Sequence, residues 1–468
     1  MKKFSVILIA LCAIIVVSCQ SDTDKADKFR LNNEFGKAAE LYKKAAAEGD
    51  AYAMWRLAYA YSNGDGVEYN EEKALDYLKR AADAGCEEAE CDLARAYIFN
   101  WLDIGTDKKK GKTMMDALME RTNNSYVMAN YAALLWDGDE PYNEDKDRAL
   151  EILDNIKDKD EPLYLGFIAG VNLLGTSKII PNIYKAIDYY KRAFRYGHRY
   201  CAYMLYLCYI QNNDDLEADT TEALEWLQKG IEANQTKCMI EMADICFSDD
   251  SAFQKYHNVS RGIELLKVAA RHGSSEAYLR LGIVNYGGQH VDKDDDKAFE
   301  YMEKAAKMRN AVGACDLGWY YILGTGCEKD VEKGIETWKK AVEYGSAPAA
   351  NNLFVYYHGG GSNIPAGPRD NDLAKDYLLK AAKMGDEYAC YSLGEQYFMG
   401  NDLVEQNTYL AFLYTKKAAD AGLVNACNTM VYLYSEGIGC DKNPDKAREY
   451  ENKTKAKEDL EKEKQIEK

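Results

Sequence analysis

Residues 53–85 read AMWRLAYAYSNGDGVEYNEEKALDYLKRAADAG, and residues 313–345 read GACDLGWYYILGTGCEKDVEKGIETWKKAVEYG. The two stretches share one frame. A small residue, leucine, a second small residue and tyrosine fall at i, i+4, i+5 and i+8, which is one face of a helix; they are Ala53, Leu57, Ala58 and Tyr61 in one copy, and Gly313, Leu317, Gly318 and Tyr321 in the other. A Gly-x-Gly turn follows, Gly64–Gly66 and Gly324–Gly326, where glycine supplies positive φ. A second helix then carries Lys73, Ala74, Tyr77, Ala81 and Ala82, answered by Lys333, Gly334, Trp338 and Ala341, and closes at Gly85 and Gly345, as a C-cap requires.

The core leucine or its substitute recurs at Leu57, Leu93, Tyr131, Ile168, Leu205, Met242, Leu281, Leu317, Leu353, Leu393 and Met430, at gaps of 36 to 40 residues. Self-similarity at that period marks units that cannot bury an apolar face alone and stack on their neighbours. The expectation is an all-α fold, an α/α solenoid of about eleven helix-turn-helix units, grown by repetition and not by separate cores. Units two to six lose the Gly-x-Gly pair, as in Asn100 to Gly111, Gly175 to Asn182 and Ser248 to His257. That middle third either bends the solenoid or is its specialised part.

This frame resembles the Sel-one-like repeat family, a relative of the tetratricopeptide repeat with a longer inter-helix loop. The resemblance covers residues 28 to about 455 and implies a right-handed superhelix. Lys28 to Gly49 reads as half a unit, residues 28–452 as the solenoid, and 453–468, almost wholly charged, as a C-terminal capping helix.

The N-terminus has another character. Lys2 and Lys3 form a basic region and Phe4 to Val17 an apolar one, too short to span and stay in a bilayer. It ends in Val16-Val17-Ser18-Cys19, which resembles the lipobox of bacterial lipoproteins. The resemblance implies a signal peptide over residues 1–19, lipidation at Cys19 and, with Gln20 next, an outer-membrane anchor. Residues 20–27 read as a polar tether. Acidic residues so soon after the cysteine are similar to surface-export signals of Bacteroidetes lipoproteins.

The net charge of −18 opposes binding to phosphate backbones and anionic lipid surfaces. Nucleic acid is set aside, and membrane contact is expected through the lipid anchor alone. Cys201 and Cys208 lie seven apart on one predicted helix, and Cys238 and Cys246 eight apart on another. Their sulfurs would sit about 10 Å apart or more, beyond disulfide reach, so most cysteines read as small buried hydrophobes.

Chemistry is sparse. His198, His257, His272, His290 and His358 fall in different units, without HExxH or zinc-ligand spacing, and read as solvated turn residues. Gly105 to Thr113 misses a phosphate loop by one residue between its glycines. Asp292, Asp294, Asp296 and Glu303 mimic calcium-loop positions, but Lys297 stands where that loop needs glycine. No catalytic residue, metal site or cofactor is assigned, and the chain reads as a non-enzyme.

In tetratricopeptide relatives the first helices line the concave face, at positions five and two before the core leucine and two and five after it. Carried over, that stripe collects Tyr52, Trp55, Tyr59, Tyr126, Trp136, Tyr200, Tyr203, Tyr286, Trp319, Tyr388, Tyr391, Phe398 and Tyr432. Such aromatics give contact area at low entropic cost. Eleven helix pairs imply a concave path on the order of 100 Å, suited to an extended peptide or a protein edge. Trp226 and Trp338 occupy second-helix sites and are expected in the core. The resemblance favours a lipid-anchored protein-protein interaction scaffold. Its alternatives are an immunity protein against a secreted lipase effector and, less favoured, a hydrolase of β-lactam-like substrates, whose family cysteine pairs are replaced here by Ala81-Ala82 and its equivalents.

Overall fold

The computed structural model describes residues 21–466 except 139, 213–215 and 252, with side chains as far as residue 457. The expected signal peptide over residues 1–19, with Cys19, lies outside the described residues. Two compact units divide the chain, Met1–Ala277 and Tyr278–Lys468.

Among the described residues there are twenty-four α-helices in twelve pairs, one pair more than the core leucines predict. They begin with α1 (Asp22–Leu31) and α2 (Phe35–Ala47), α3 (Ala51–Asn63) and α4 (Glu71–Asp83), then α5 (Glu87–Phe99) and α6 (Lys108–Met119). Next come α7 (Ser125–Asp137) and α8 (Lys146–Asn155), α9 (Pro162–Leu174) and α10 (Ile183–Arg195), then α11 (Tyr200–Ile210) and α12 (Thr220–Glu232). After these run α13 (Thr236–Phe247) and α14 (Val259–Arg271), α15 (Ser275–Gly287) and α16 (Asp295–Lys307), then α17 (Ala311–Leu323) and α18 (Val331–Glu343). The last are α19 (Ala347–His358) and α20 (Asn371–Lys383), α21 (Glu387–Met399) and α22 (Thr408–Asp420), then α23 (Val424–Glu436) and α24 (Pro444–Ile466).

The additional pair overturns one expectation. Residues 22–27, read as a tether, open α1, so the first repeat is a full pair and not half of one. Its sequence is too polar to announce a helix. What holds it is the next elements: Thr23 donates to Asp50 at 2.6 Å, the Tyr42 hydroxyl donates to Asp27 at 2.6 Å, and Lys44 pairs with Asp22 at 2.6 Å. At the other end the charged tail is no separate cap, because α24 runs unbroken from Pro444 to Ile466.

The repeated letters have structural employment. Tyr61 stacks on Tyr77 at 5.7 Å, Tyr357 on Tyr377 and Tyr397 on Tyr414 at 5.9 Å, joining the two helices of a pair. The consensus lysine covers the tyrosine of the first helix, as Lys73 lies over Tyr61 and Lys333 over Tyr321. Each second helix from α4 to α22 starts on Asn or Asp, whose side chain accepts the N–H three residues on, as at Asn70, Asn182, Asp330 and Asn407. Each such cap stabilises its helix by about 1 kcal/mol. Asp294, the apparent calcium-loop residue, is one of them: it caps α16 through the Lys297 amide.

The second glycine of Gly-x-Gly marks a backbone contact between pairs. A Cβ on Gly66 would lie 2.3 Å from the Phe35 carbonyl oxygen, and one on Gly326 would lie 2.0 Å from that of Asp295. Phe35 and Asp295 each open the preceding second helix. Both glycines also hold positive φ, +70° and +63°, which L side chains rarely adopt.

The cores bear out the small-residue reading. Trp338 is fully buried and Trp226 nearly so, and nine of the eleven cysteines from Cys86 onward are buried and free, with Cys327 and Cys440 half-buried and also free. Trp338 fits because Gly318 carries no side chain: a Cβ there would come within 2.3 Å of the indole.

The first unit closes on itself. The loop between α3 and α4 meets the turns that follow α10, α12 and α14. Asp65 pairs with Arg199 at 2.9 Å and accepts from the Asn234 amide at 3.2 Å, while His272 Nδ1 lies 2.8 Å from the Asn63 carbonyl oxygen. The loop that carries the clearest Gly-x-Gly copy is therefore the seam of a closed turn.

Candidate functional site

That closed turn encloses a cavity of about 930 Å³. Its wall comes from the first helices α3, α5, α7, α9 and α11, with α1, α2 and the 194–200 turn completing it. First helices thus supply much of the lining, and the cavity is about half open to solvent.

Five stripe residues meet there: Tyr52, Trp55, Tyr59, Tyr126 and Tyr200. Trp55 is their centre, with ring centroids 5.4 Å from Tyr52, 5.5 Å from Tyr59 and 5.3 Å from Tyr126. It is also only 3% exposed, so it serves as wall and offers a partner little free surface. Beneath it lies Asp92, fully buried. Asp92 accepts from the Trp55 indole at 2.7 Å and the Tyr126 hydroxyl at 2.8 Å, and Arg95 stands 3.4 Å away. Tyr59 extends the chain, its hydroxyl 2.9 Å from that of Tyr126. Burial raises the Asp92 pKa above the usual carboxylate value, against the pull of Arg95 and its three hydroxyl and indole neighbours.

The remaining stripe residues are dispersed. In the first unit, Trp136 packs edge-on against Phe167 at 5.4 Å, and Tyr203 sits between Tyr200 and Tyr206. In the second unit, Tyr286, Tyr388 and Tyr432 are exposed. Trp319 packs on Trp338 at 5.0 Å, Tyr391 reaches Thr429 at 3.4 Å, and Phe398 is half-buried.

Several residues of the cavity carry charge that the stripe rule does not select. Arg56 stands next to the core leucine, stacks over Trp55 at 4.3 Å and Tyr52 at 4.7 Å, and donates to the Tyr52 hydroxyl at 2.7 Å. Glu161 caps α9 through the Tyr164 amide at 2.6 Å, and burial raises its pKa. His198 corrects the view of the histidines as solvated: burial lowers its pKa to about 4. His272 is likewise a seam residue, bonded to the loop of a distant pair. The available signal was a charged residue beside a core leucine, at Arg56 and Asp92, where an apolar neighbour would serve stacking equally well.

Fold and cavity define a helix-pair repeat solenoid with a polar, aromatic interior pocket. The Sel1 repeat model matches residues 33–50, 51–86, 165–198, 202–235, 275–310, 311–345, 347–386, 387–423 and 425–450, well over half of the chain, and the chain belongs to the Sel1 repeat family. Residues 87–164 and 236–274 fall outside those matches, yet α5 to α8 and α13 with α14 keep the paired architecture.

The chain is similar to chitin synthase regulatory factor 4 of Schizosaccharomyces pombe, 23% identical over 57% of this chain and 38% of that protein. It is similar also to the chitin synthase regulator SKT5 of Saccharomyces cerevisiae, 35% identical over 19% of this chain and 13% of that protein. The chain thus spans well under half the length of these curated relatives. Among solved structures it is similar to c5321, a protective antigen of uropathogenic Escherichia coli displaying an SLR fold. Identity is 22%, coverage is 88% of this chain and 85% of that one, and the TM-score is 0.41.

Proposed function

We propose that this chain is a non-enzymatic protein-interaction scaffold whose partner engages the interior of the first unit. The carrying observation is convergence: Tyr52, Tyr59, Tyr126 and Tyr200, from three different first helices, line one cavity of about 930 Å³. A pocket of that size, with aromatic walls and charged groups set among them, has room for a few side chains of a partner segment. The curated relatives are named as regulators of another enzyme, which fits an adaptor's role.

The test is site-specific photo-crosslinking in the cells that make the protein. A photoreactive residue at Tyr200 is expected to capture one discrete partner. The same residue at Tyr409, exposed on the second helix α22, is expected to capture none. Equal yield from both positions would defeat the reading.

The scaffold is exported and lipid-anchored at a bacterial outer membrane on this proposal. It rests on Lys2, Lys3, the apolar run and the Val16-Val17-Ser18-Cys19 motif. Labelled palmitate should enter the wild-type chain and not Cys19→Ser; incorporation into both would remove the anchor from the proposal.

A further inference from the structure

Arginine is distributed unevenly over this molecule. The chain has 15 arginines and is acidic overall at −18, yet Arg30, Arg56, Arg95, Arg195 and Arg199 all line the one cavity, and among the described residues no lysine does. A guanidinium presents five donors in a planar fork that matches a carboxylate and stacks on aromatic rings, which an ammonium does not.

The internal partners leave donors over. Asp27 serves two guanidiniums at once, Arg30 at 3.3 Å and Arg56 at 3.6 Å, so one positive charge there is not compensated by it. Arg95 meets Asp92 only at 3.4 Å, and the exposed Arg195 makes a long bond, 3.4 Å, to the Lys191 carbonyl. Arg56 is held rigid by its two aromatic neighbours, so little entropy is lost when it binds. Among the carboxylates of the lining, Asp65 is already engaged by Arg199 and Asn234.

From this geometry we infer that the cavity of the first unit recognises carboxylates of an acidic peptide. The inference deepens the scaffold reading and rests on it. A peptide supplies both elements the wall asks for, planar monoanions for the guanidiniums and side chains to lie on Tyr52, Tyr59 and Tyr200. Glu88, Asp158 and Glu161 also line the cavity and oppose any anion, so a free phosphate, which has no side chains to lie on the aromatic wall, fits less well than a peptide. Five guanidiniums in one lining ask for several carboxylates, which acidic side chains supply and a single chain terminus does not.

The experiment is fluorescence anisotropy on the full chain with three labelled hexapeptide pools. One contains Glu and Asp with an amidated C-terminus, one contains Gln and Asn with a free C-terminus, and one contains Gln and Asn and is amidated. The first should bind and the second and third should not; preferential binding of the second would place recognition at the chain terminus and overturn the inference. Binding should weaken with added salt. Arg195→Gln and Arg95→Gln should each cost on the order of tenfold in affinity, the worth of one charge-assisted hydrogen bond. Because Arg95 also faces buried Asp92, the exposed Arg195 carries the test without a folding penalty, and Arg56→Lys should weaken binding while keeping the charge. Equal binding of all three pools, binding of none, undiminished binding by both glutamine variants, or full displacement by millimolar inorganic phosphate would overturn the inference. Should Tyr200 still crosslink a partner in that event, the scaffold reading stands and only the acidic-peptide assignment falls.

Discussion

The indole Nε1 of Trp55 donates a 2.7 Å hydrogen bond to the carboxylate of Asp92, across the seam between α3 and α5. Two successive pairs of the solenoid are thereby joined by a buried polar contact on top of their apolar packing. A buried carboxylate that loses a donor costs more than the bond itself contributes. Trp55→Phe should therefore destabilise the first unit by about 2–3 kcal/mol. In a double-mutant cycle with Asp92→Asn the coupling should be on the order of 1–2 kcal/mol. Urea unfolding measures both, and additivity of the two substitutions would show that the bond is not the link between these pairs.

The second glycine of Gly-x-Gly should be far less replaceable than the helix-ending glycine. A Cβ on Gly326 would meet the Asp295 carbonyl at 2.0 Å, whereas one on Gly345 meets nothing within 4 Å, although both have positive φ. Gly345→Ala is expected to cost about 1 kcal/mol, the ordinary price of positive φ. Gly326→Ala should cost clearly more, because backbone must shift. Thermal melting of the two variants gives the comparison, and equal losses would contradict it.

Asp316 makes a pH prediction for the second unit. Burial raises its pKa from 3.8 to about 6. The folded chain therefore binds more protons than the unfolded chain between about pH 4 and pH 6, so its contribution to stability is present below that window and lost as pH rises through it. At pH 7 the ionised group should destabilise by roughly 2–3 kcal/mol. Asp316→Asn should be more stable than wild type at pH 7 and gain nothing at pH 4, as read by hydrogen exchange in α17.

His198 has the opposite sign. Its folded pKa, about 4, lies below the ordinary 6.5 because burial disfavours the imidazolium. The unfolded chain binds the extra proton between those values, so the contribution of neutral His198 is complete above pH 6.5 and lost as pH falls toward 4. His198→Gln should flatten the acid loss of stability in the first unit over that interval. An unchanged pH profile of exchange in α11 would exclude His198 as its source.

The Asp65–Arg199 pair closes the first unit, and both side chains are mostly withdrawn from solvent, at 14% and 23% exposed. Its coupling should exceed that of a surface pair and reach about 1–2 kcal/mol. Arg199→Gln should speed hydrogen exchange at residues 64–70 while leaving α17 to α24 unchanged. Uniform acceleration along the chain would mean that the contact does not act locally.

The sequence by itself determined the repeat, its register and its helical pairs. Those features depend on contacts within a unit or with its neighbour: Leu57, Tyr61, Gly66 and Tyr77 see the same surroundings in each clear copy, so their pattern recurs every 36 to 40 residues. The tertiary structure alone decided three other matters. Helix α1 is polar and exists because Asp50, Tyr42 and Lys44 hold it. Trp55 looked like a binding residue and became part of the wall, since its place depends on Asp92 one repeat away. Asp65 meets Arg199 and Asn63 meets His272 across sequence separations of 134 and 209 residues. That meeting follows from small rotations summed over several pairs, which no single repeat encodes. The same summation gathers five arginines from scattered repeats into one cavity.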